Sequence, residues 1–241
     1  WDAIVSNCVI SGNSSTWIGG GGAYFVTLID CDVTGNESLD GGGVSYCIAE
    51  NCIISGNRSG FDGGGAWLSK LVHCEISDNT AGNWGGGAWG GLISNCVFSG
   101  NSAKAGGGTY DSRVVDSLLS SNRASGGGYS DGGGGAWGGG LHACRITGNT
   151  AYDGGGAYRS ALTNCALTGN MAEHWGGGSY GSNTLTGCTL TDNSAQYAGG
   201  VYLGTLQNCI VYHNNAPTGS NWDATSTFSH TCTAPLPPGD G

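Results

Sequence analysis

The chain has 241 residues, of which 50 are glycine, and seven lysines and arginines stand against seventeen acids for a net charge of −10. No basic stripe is present to neutralise phosphates, which argues against nucleic acid or an anionic membrane as partner. No run of eighteen apolar residues exists to span a bilayer. No signal peptide is visible, and the start at Trp1 inside a repeat-like context reads as a mature product or a fragment.

From Cys8 onward the chain repeats itself. Cysteine returns at Cys31, Cys52, Cys74, Cys96, Cys144, Cys165, Cys188 and Cys209, and Ser117 divides the one long gap. The ordinary step is 21 to 23 residues. Five residues after each of these ten positions stands an asparagine: Asn13, Asn36, Asn57, Asn79, Asn101, Asn122, Asn149, Asn170, Asn193 and Asn214. Two residues after each cysteine the side chain is apolar, as at Ile10, Val33, Ile54 and Phe98, while the residue between varies (Asp32, Glu75, Arg145, Thr189). That alternation predicts a short strand with Cys and Ile/Leu/Val facing inward.

Each repeat therefore reads in the same order. A strand at Cys-x-Ile leads to a turn at Gly-Asn. A second short strand follows the glycine run, as at Ala66-Trp67, and a third lies around Leu71-Val72 or Leu92-Ile93. No 3.6-residue periodicity or capping box marks a helix, and glycine at this density disfavours one. Units of this size cannot bury a core alone and must stack on their neighbours. The expected fold is all-β, a right-handed parallel β-helix (solenoid) of about ten coils. Every column becomes a ladder spaced about 4.8 Å, and ten coils make a rod of roughly 45–50 Å. Columns such as Gly63-Gly64-Gly65 over Gly85-Gly86-Gly87 are expected to serve close backbone approach or positive φ at a corner.

Asn51-Cys52-Ile53-Ile54-Ser55-Gly56-Asn57, followed by Gly63-Gly64-Gly65-Ala66-Trp67, resembles right-handed parallel β-helix surface proteins of bacteria. It is similar to the glycine-rich repeats of polymorphic outer-membrane proteins and autotransporter-like adhesins. The segment from Ser229 to Gly239 looks like the closing segment of such helices. The resemblance implies a secreted or cell-surface protein. Pectate lyases and related polysaccharide-active enzymes share this fold, and fold alone does not decide between these roles.

The predicted organisation is a repeat domain over 1–215 and a C-terminal capping or linker tail over 216–241. The tail loses the register, gains Pro217, Pro235, Pro237 and Pro238, and offers Trp222 and Phe228 as lids for the apolar end. The eleven cysteines show no C-x-x-C, and in-register neighbours are too far apart for an unstrained bridge. Buried free thiols are expected, with Cys47 and Cys232, outside the ladder, as the better bridge formers.

Several residues are candidates for function. Asn13, Asn36 and Asn57 each open an N-x-S acceptor pattern. The same asparagine persists at Asn101 and Asn170 without that pattern, so an inward amide stack is the expectation. Glycine runs such as Gly19–Gly22 lead into strands and lack the helix N-terminus that binds phosphate. Before the glycine runs, Asp40 would stack on Asp62 and Asp131 on Asp153, putting like charges near 5 Å, where Ca²⁺ is a conceivable ligand and two solvated turn carboxylates the plainer reading. The aromatic column Tyr24, Trp67, Trp89, Tyr110, Trp137, Tyr158, Tyr180 and Tyr202 is either an outward stripe suited to sugar rings or another rod, or an inward stack. Ser117 and the insertion Gly126–Asp131 set coil six apart, with Asp111, Arg113, Asp116 and Arg123 near it. For catalysis, Asp30 and Asp32 fall on one strand and Glu75 two coils away, with no catalytic set gathered elsewhere.

The functional expectation is a non-enzymatic extracellular structural or adhesive rod, with copies of itself stacked end to end as partners. The alternative is a carbohydrate-binding or polysaccharide-degrading β-helix.

Overall fold

The computed structural model describes residues 3–128 and 131–234, except the side chain of Ser182. Trp1, Tyr129, Ser130, Pro235, Pro237 and Pro238 lie outside the described residues. Within them the chain is all-β, without a helix, and winds as a parallel β-solenoid of about ten turns.

Three sheets run along it, of 18, 11 and 7 strands among the described residues. The broad sheet takes two strands per coil, such as Ala66–Trp67 and Lys70–Val72. The 11-stranded sheet takes the strand after each cysteine, such as Ile53–Ser55, and the narrow sheet the pair after each asparagine, such as Arg58–Ser59. Ladders are parallel and in register: Ile54 stands beside Val33 and Ile76, Leu71 beside Ala49 and Ile93. The third strand expected at Leu71-Val72 and Leu92-Ile93 is present as Lys70–Val72 and Leu92–Ser94.

The alternation of the sequence becomes the core. Val33, Ile54, Ile76, Phe98, Leu119, Ile146, Leu167, Leu190 and Val211 are fully buried from one side, and Leu28, Leu71, Val114, Leu162 and Leu185 from the other. All eleven cysteines are free thiols, nine of them buried. Each inward thiol donates to a carbonyl two residues back, as Cys52 Sγ does to Glu50 O at 3.3 Å. Cys47, expected outside the stack, is itself buried among the core side chains, and Cys232 is exposed.

Corners explain the glycines. In most runs the first glycine adopts the left-handed region, as Gly85 does at φ +66°; in the run 132–135 the second, Gly133, does so, and before Gly199 the residue is Ala198. The glycine that follows does not, but its backbone touches the next coil: a Cβ on Gly86 would lie 2.4 Å from the Gly107 carbonyl oxygen and 2.5 Å from that of Ser102. Positive φ and close approach are thus both required, at successive residues. A further left-handed corner before each cysteine uses no glycine in most coils: Asn51, His73, Asn95 and Asp116 have φ between +47° and +54°.

Between residues 216 and 234 the chain adds further strands to the coil. Thr227–Ser229 pairs with Thr205–Gln207, and Cys232–Thr233 with Ile210–Val211. Trp222 and Phe228 meet edge to face at 5.3 Å and pack, partly buried, against the core.

Candidate functional site

Three columns carry the polar and aromatic chemistry. The first is the asparagine ladder. The side-chain oxygen of Asn101 accepts from the Asn79 backbone N–H and from Asn79 Nδ2, both at 3.0 Å. Asn101 Nδ2 donates in turn to the Ile76 carbonyl at 2.8 Å and to Asn122 Oδ1 at 2.9 Å. The same set repeats from Asn13 through Asn36, Asn57, Asn149, Asn170 and Asn193 to Asn214. Each amide satisfies the turn of its neighbours, as the inward stack required. Asn221, which sequence spacing does not place in the column, takes the next rung by accepting from Asn214 N–H and Nδ2 at 3.0 Å. It lies seven residues on rather than about 22, so periodicity gave no signal for it.

The second column is aromatic and faces outward, because Ala66 and Ala88 take the inward position beside Trp67 and Trp89. Its rings stack on each other. Trp67 and Trp89 lie 5.7 Å apart at 23°. Tyr110 stacks on Trp137 at 4.3 Å and 4°, Trp137 on Tyr158 at 5.9 Å and 13°, and Tyr158 leans on Tyr180 at 5.0 Å. Tyr180 meets Tyr202 at 5.6 Å. Four members escaped sequence reading. Trp84 and Trp175, one residue before their glycine runs, stack on Tyr110 and on Tyr180 and Tyr202. In coil two, where Ser45 holds the aromatic position, Phe25 and Tyr46 stack at 4.8 Å from the next corner, joining Tyr24 to Trp67. Tyr24 is exposed at the N-terminal end, while Tyr158 is 1% exposed and lies against Gly132.

The third column holds the carboxylates. Asp40 and Asp62 are adjacent as expected: Asp40 Oδ1 accepts the Asp62 N–H at 3.1 Å. Asp62 Oδ1 is buried without a partner, and burial together with the Asp40 charge pushes this carboxyl up to about 6. Asp131 and Asp153 do not stack. Gly133 N–H donates to the Asp153 carbonyl, so Gly132 is level with Asp153. The additional glycine of the insertion moves Asp131 into the loop, where it accepts the Gly128 N–H at 3.0 Å. Asp153 is 1% exposed with Oδ2 unpartnered, and burial raises its pKa. Among the described residues no three His, Cys, Asp or Glu side chains cluster as metal ligands would.

The other candidates disperse. Ile53 stands between Asp32 and Glu75 on the 11-stranded sheet. Arg113 lies on the broad sheet and Arg123 on the narrow one, so the coil-six charges occupy different faces. Several clefts lie on the described surface. One, of about 410 Å³, runs past Asn95, Val97, Asp116, Leu118 and Arg145, and another, of about 490 Å³, lies by Tyr197, Tyr202 and Trp222. Asp40 and Asp62 line neither.

The fold defines the chain as a parallel β-solenoid. No protein-family model matches it, and no curated protein does. Kinship with glycine-rich autotransporter-like repeats therefore rests on the motifs alone. Among solved structures the chain is similar to the Dettilon tailspike protein, at 12% identity and a TM-score of 0.38. That alignment covers 95% of this chain and 52% of the other, so the chain spans about half its length.

Proposed function

We propose that the chain is a non-enzymatic structural rod or stalk of an extracellular or cell-surface protein. One observation carries this reading: the outward aromatic column is stacked on itself. Sugar recognition by stacking needs an exposed ring face. Rings such as Tyr110, held between Trp84 at 5.3 Å and Trp137 at 4.3 Å, have both faces covered by other rings and offer solvent their edges. The column then acts as an external brace, parallel to the internal asparagine ladder. Copies of the chain, stacked edge to edge through the strands of the end coils, are the partners proposed for this rod.

The test compares wild type with a Trp67/Trp89/Trp137→Ala variant on a glycan array and against pectin-like polysaccharides. The expected result is lower thermal stability in the variant, with no glycan binding that depends on the column and no product release by either protein. A glycan bound by wild type and lost by the folded variant overturns the brace. Released oligosaccharide overturns the non-enzymatic reading.

A further inference from the structure

The aromatic column ends at Tyr202, and its ending is built differently from the rest. Val201 is level with Trp222, so the residue level with Tyr202 in the next coil is Asp223. A carboxylate thus stands where another ring would continue the stack. Tyr202 meets Trp175 and Tyr180 of the preceding coil, at 5.8 and 5.6 Å. Toward the following coil it borders the cleft of about 490 Å³, together with Tyr197, Trp222, Asp223 and Thr225. A cleft of this size falls within the range of small-ligand sites.

The state of Asp223 selects the ligand. Leu203 N–H at 2.9 Å and the Ser226 hydroxyl donate to Oδ1. Thr225 donates to Oδ2 from its N–H, at 3.0 Å, and from its hydroxyl. A carboxylate has about four lone-pair sites, and these four donors occupy them. Burial would raise its pKa, but the hydrogen bonds from Ser226, Thr225 and Leu203 outweigh burial and hold it below the ordinary value. The group is therefore a fixed negative charge with little capacity to accept another hydrogen bond. A sugar hydroxyl gains little from it, and a plain ammonium group, though drawn by the same field, would leave its N–H donors without an acceptor there once dehydrated. A cation without N–H donors gains that field with no donor left unpaired, and the rings of Tyr197 and Tyr202, which line the cleft, supply cation–π attraction.

We infer that the cleft formed by Tyr197, Tyr202, Trp222 and Asp223 binds a quaternary, methylated ammonium group. The surrounding charge agrees with a cationic ligand, since the whole chain carries −10. This inference is independent of the structural role proposed above.

The experiment titrates the full chain with tetramethylammonium and with choline, followed by intrinsic fluorescence and NMR, with ammonium chloride and methyl β-glucoside as comparison ligands. Saturable binding of both quaternary ions is expected, weakened about tenfold by Tyr202→Ala and again by Tyr197→Ala. Asp223→Asn weakens it further if that variant folds, as circular dichroism will show; the tyrosine variants carry the test otherwise. Absence of saturation by either quaternary ion overturns the assignment. So does equal binding of ammonium, saturation by the glucoside in preference, or choline affinity unchanged in folded Tyr202→Ala.

Discussion

At the scale of single residues, the fold depends on groups that have no alternative partners. Asn101 is fully buried and accepts two bonds while donating three. Asn101→Ala leaves donors of Asn79 and the Ile76 carbonyl unsatisfied, at about 1–3 kcal/mol for each buried group. A loss of roughly 3–5 kcal/mol in denaturant unfolding is expected. Asn13, exposed at the first coil, should lose no more than about 1 kcal/mol on the same change.

Glycines divide into two kinds, and substitution separates them. Gly56→Ala meets nothing within 4 Å and suffers only from φ +62°, for a cost of about 1 kcal/mol. Gly86→Ala drives a methyl into two carbonyl oxygens of the next coil and should abolish folding or shift the melting temperature far more.

Asp62 sets a pH dependence. Its folded pKa, about 6 against 3.8, is raised, so the folded state binds the proton more tightly than the unfolded one. Its contribution therefore favours folding below pH 3.8 and is lost as pH rises through 6. Since the group is half exposed, the discounted effect is about 1 kcal/mol. Asp62→Asn should raise stability at pH 7 by that amount and flatten the stability–pH profile between 4 and 6, read by thermal melts.

At the scale of elements, the strands were legible because their signals are local and repeated. Cys-x-Ile alternation, the asparagine five residues on and the paired Leu-Val strands sit where the sequence places them. Three things were not legible, each for a physical reason. The direction of the aromatic column depends on how a glycine run turns, and glycine permits either parity. The coil-six register depends on which glycine rejoins the ladder, and four consecutive glycines, Gly132–Gly135, look alike in sequence. The corners at Asn51, His73 and Asp116 use ordinary residues at positive φ, so composition did not mark them.

The column's value as a brace is measurable at this scale. Tyr110→Ala removes a ring stacked on both faces and should cost about 2 kcal/mol. Replacement of the end ring, Tyr24→Ala, removes a 48% exposed side chain and should cost under about 1 kcal/mol.

At the scale of the whole molecule, stability is a sum over coils and their interfaces. Neighbouring coils are joined by three sheets, the buried core, the amide ladder and the ring stack, and none of these is confined to one section of the rod. Trp222 and Phe228 in the last described coil, and Val5 and Ile10 in the first, pack partly buried against the core. Such an object should behave as one stiff body, with its length set by strand spacing.

Negative-stain electron microscopy with sedimentation over a concentration series tests that most directly. The structure predicts uniform stiff rods, roughly 50 Å long at about 4.8 Å per coil, which join into filaments of constant width if the end coils pair between copies. Compact or flexibly jointed particles at every concentration would contradict a continuous solenoid and the structural role built on it.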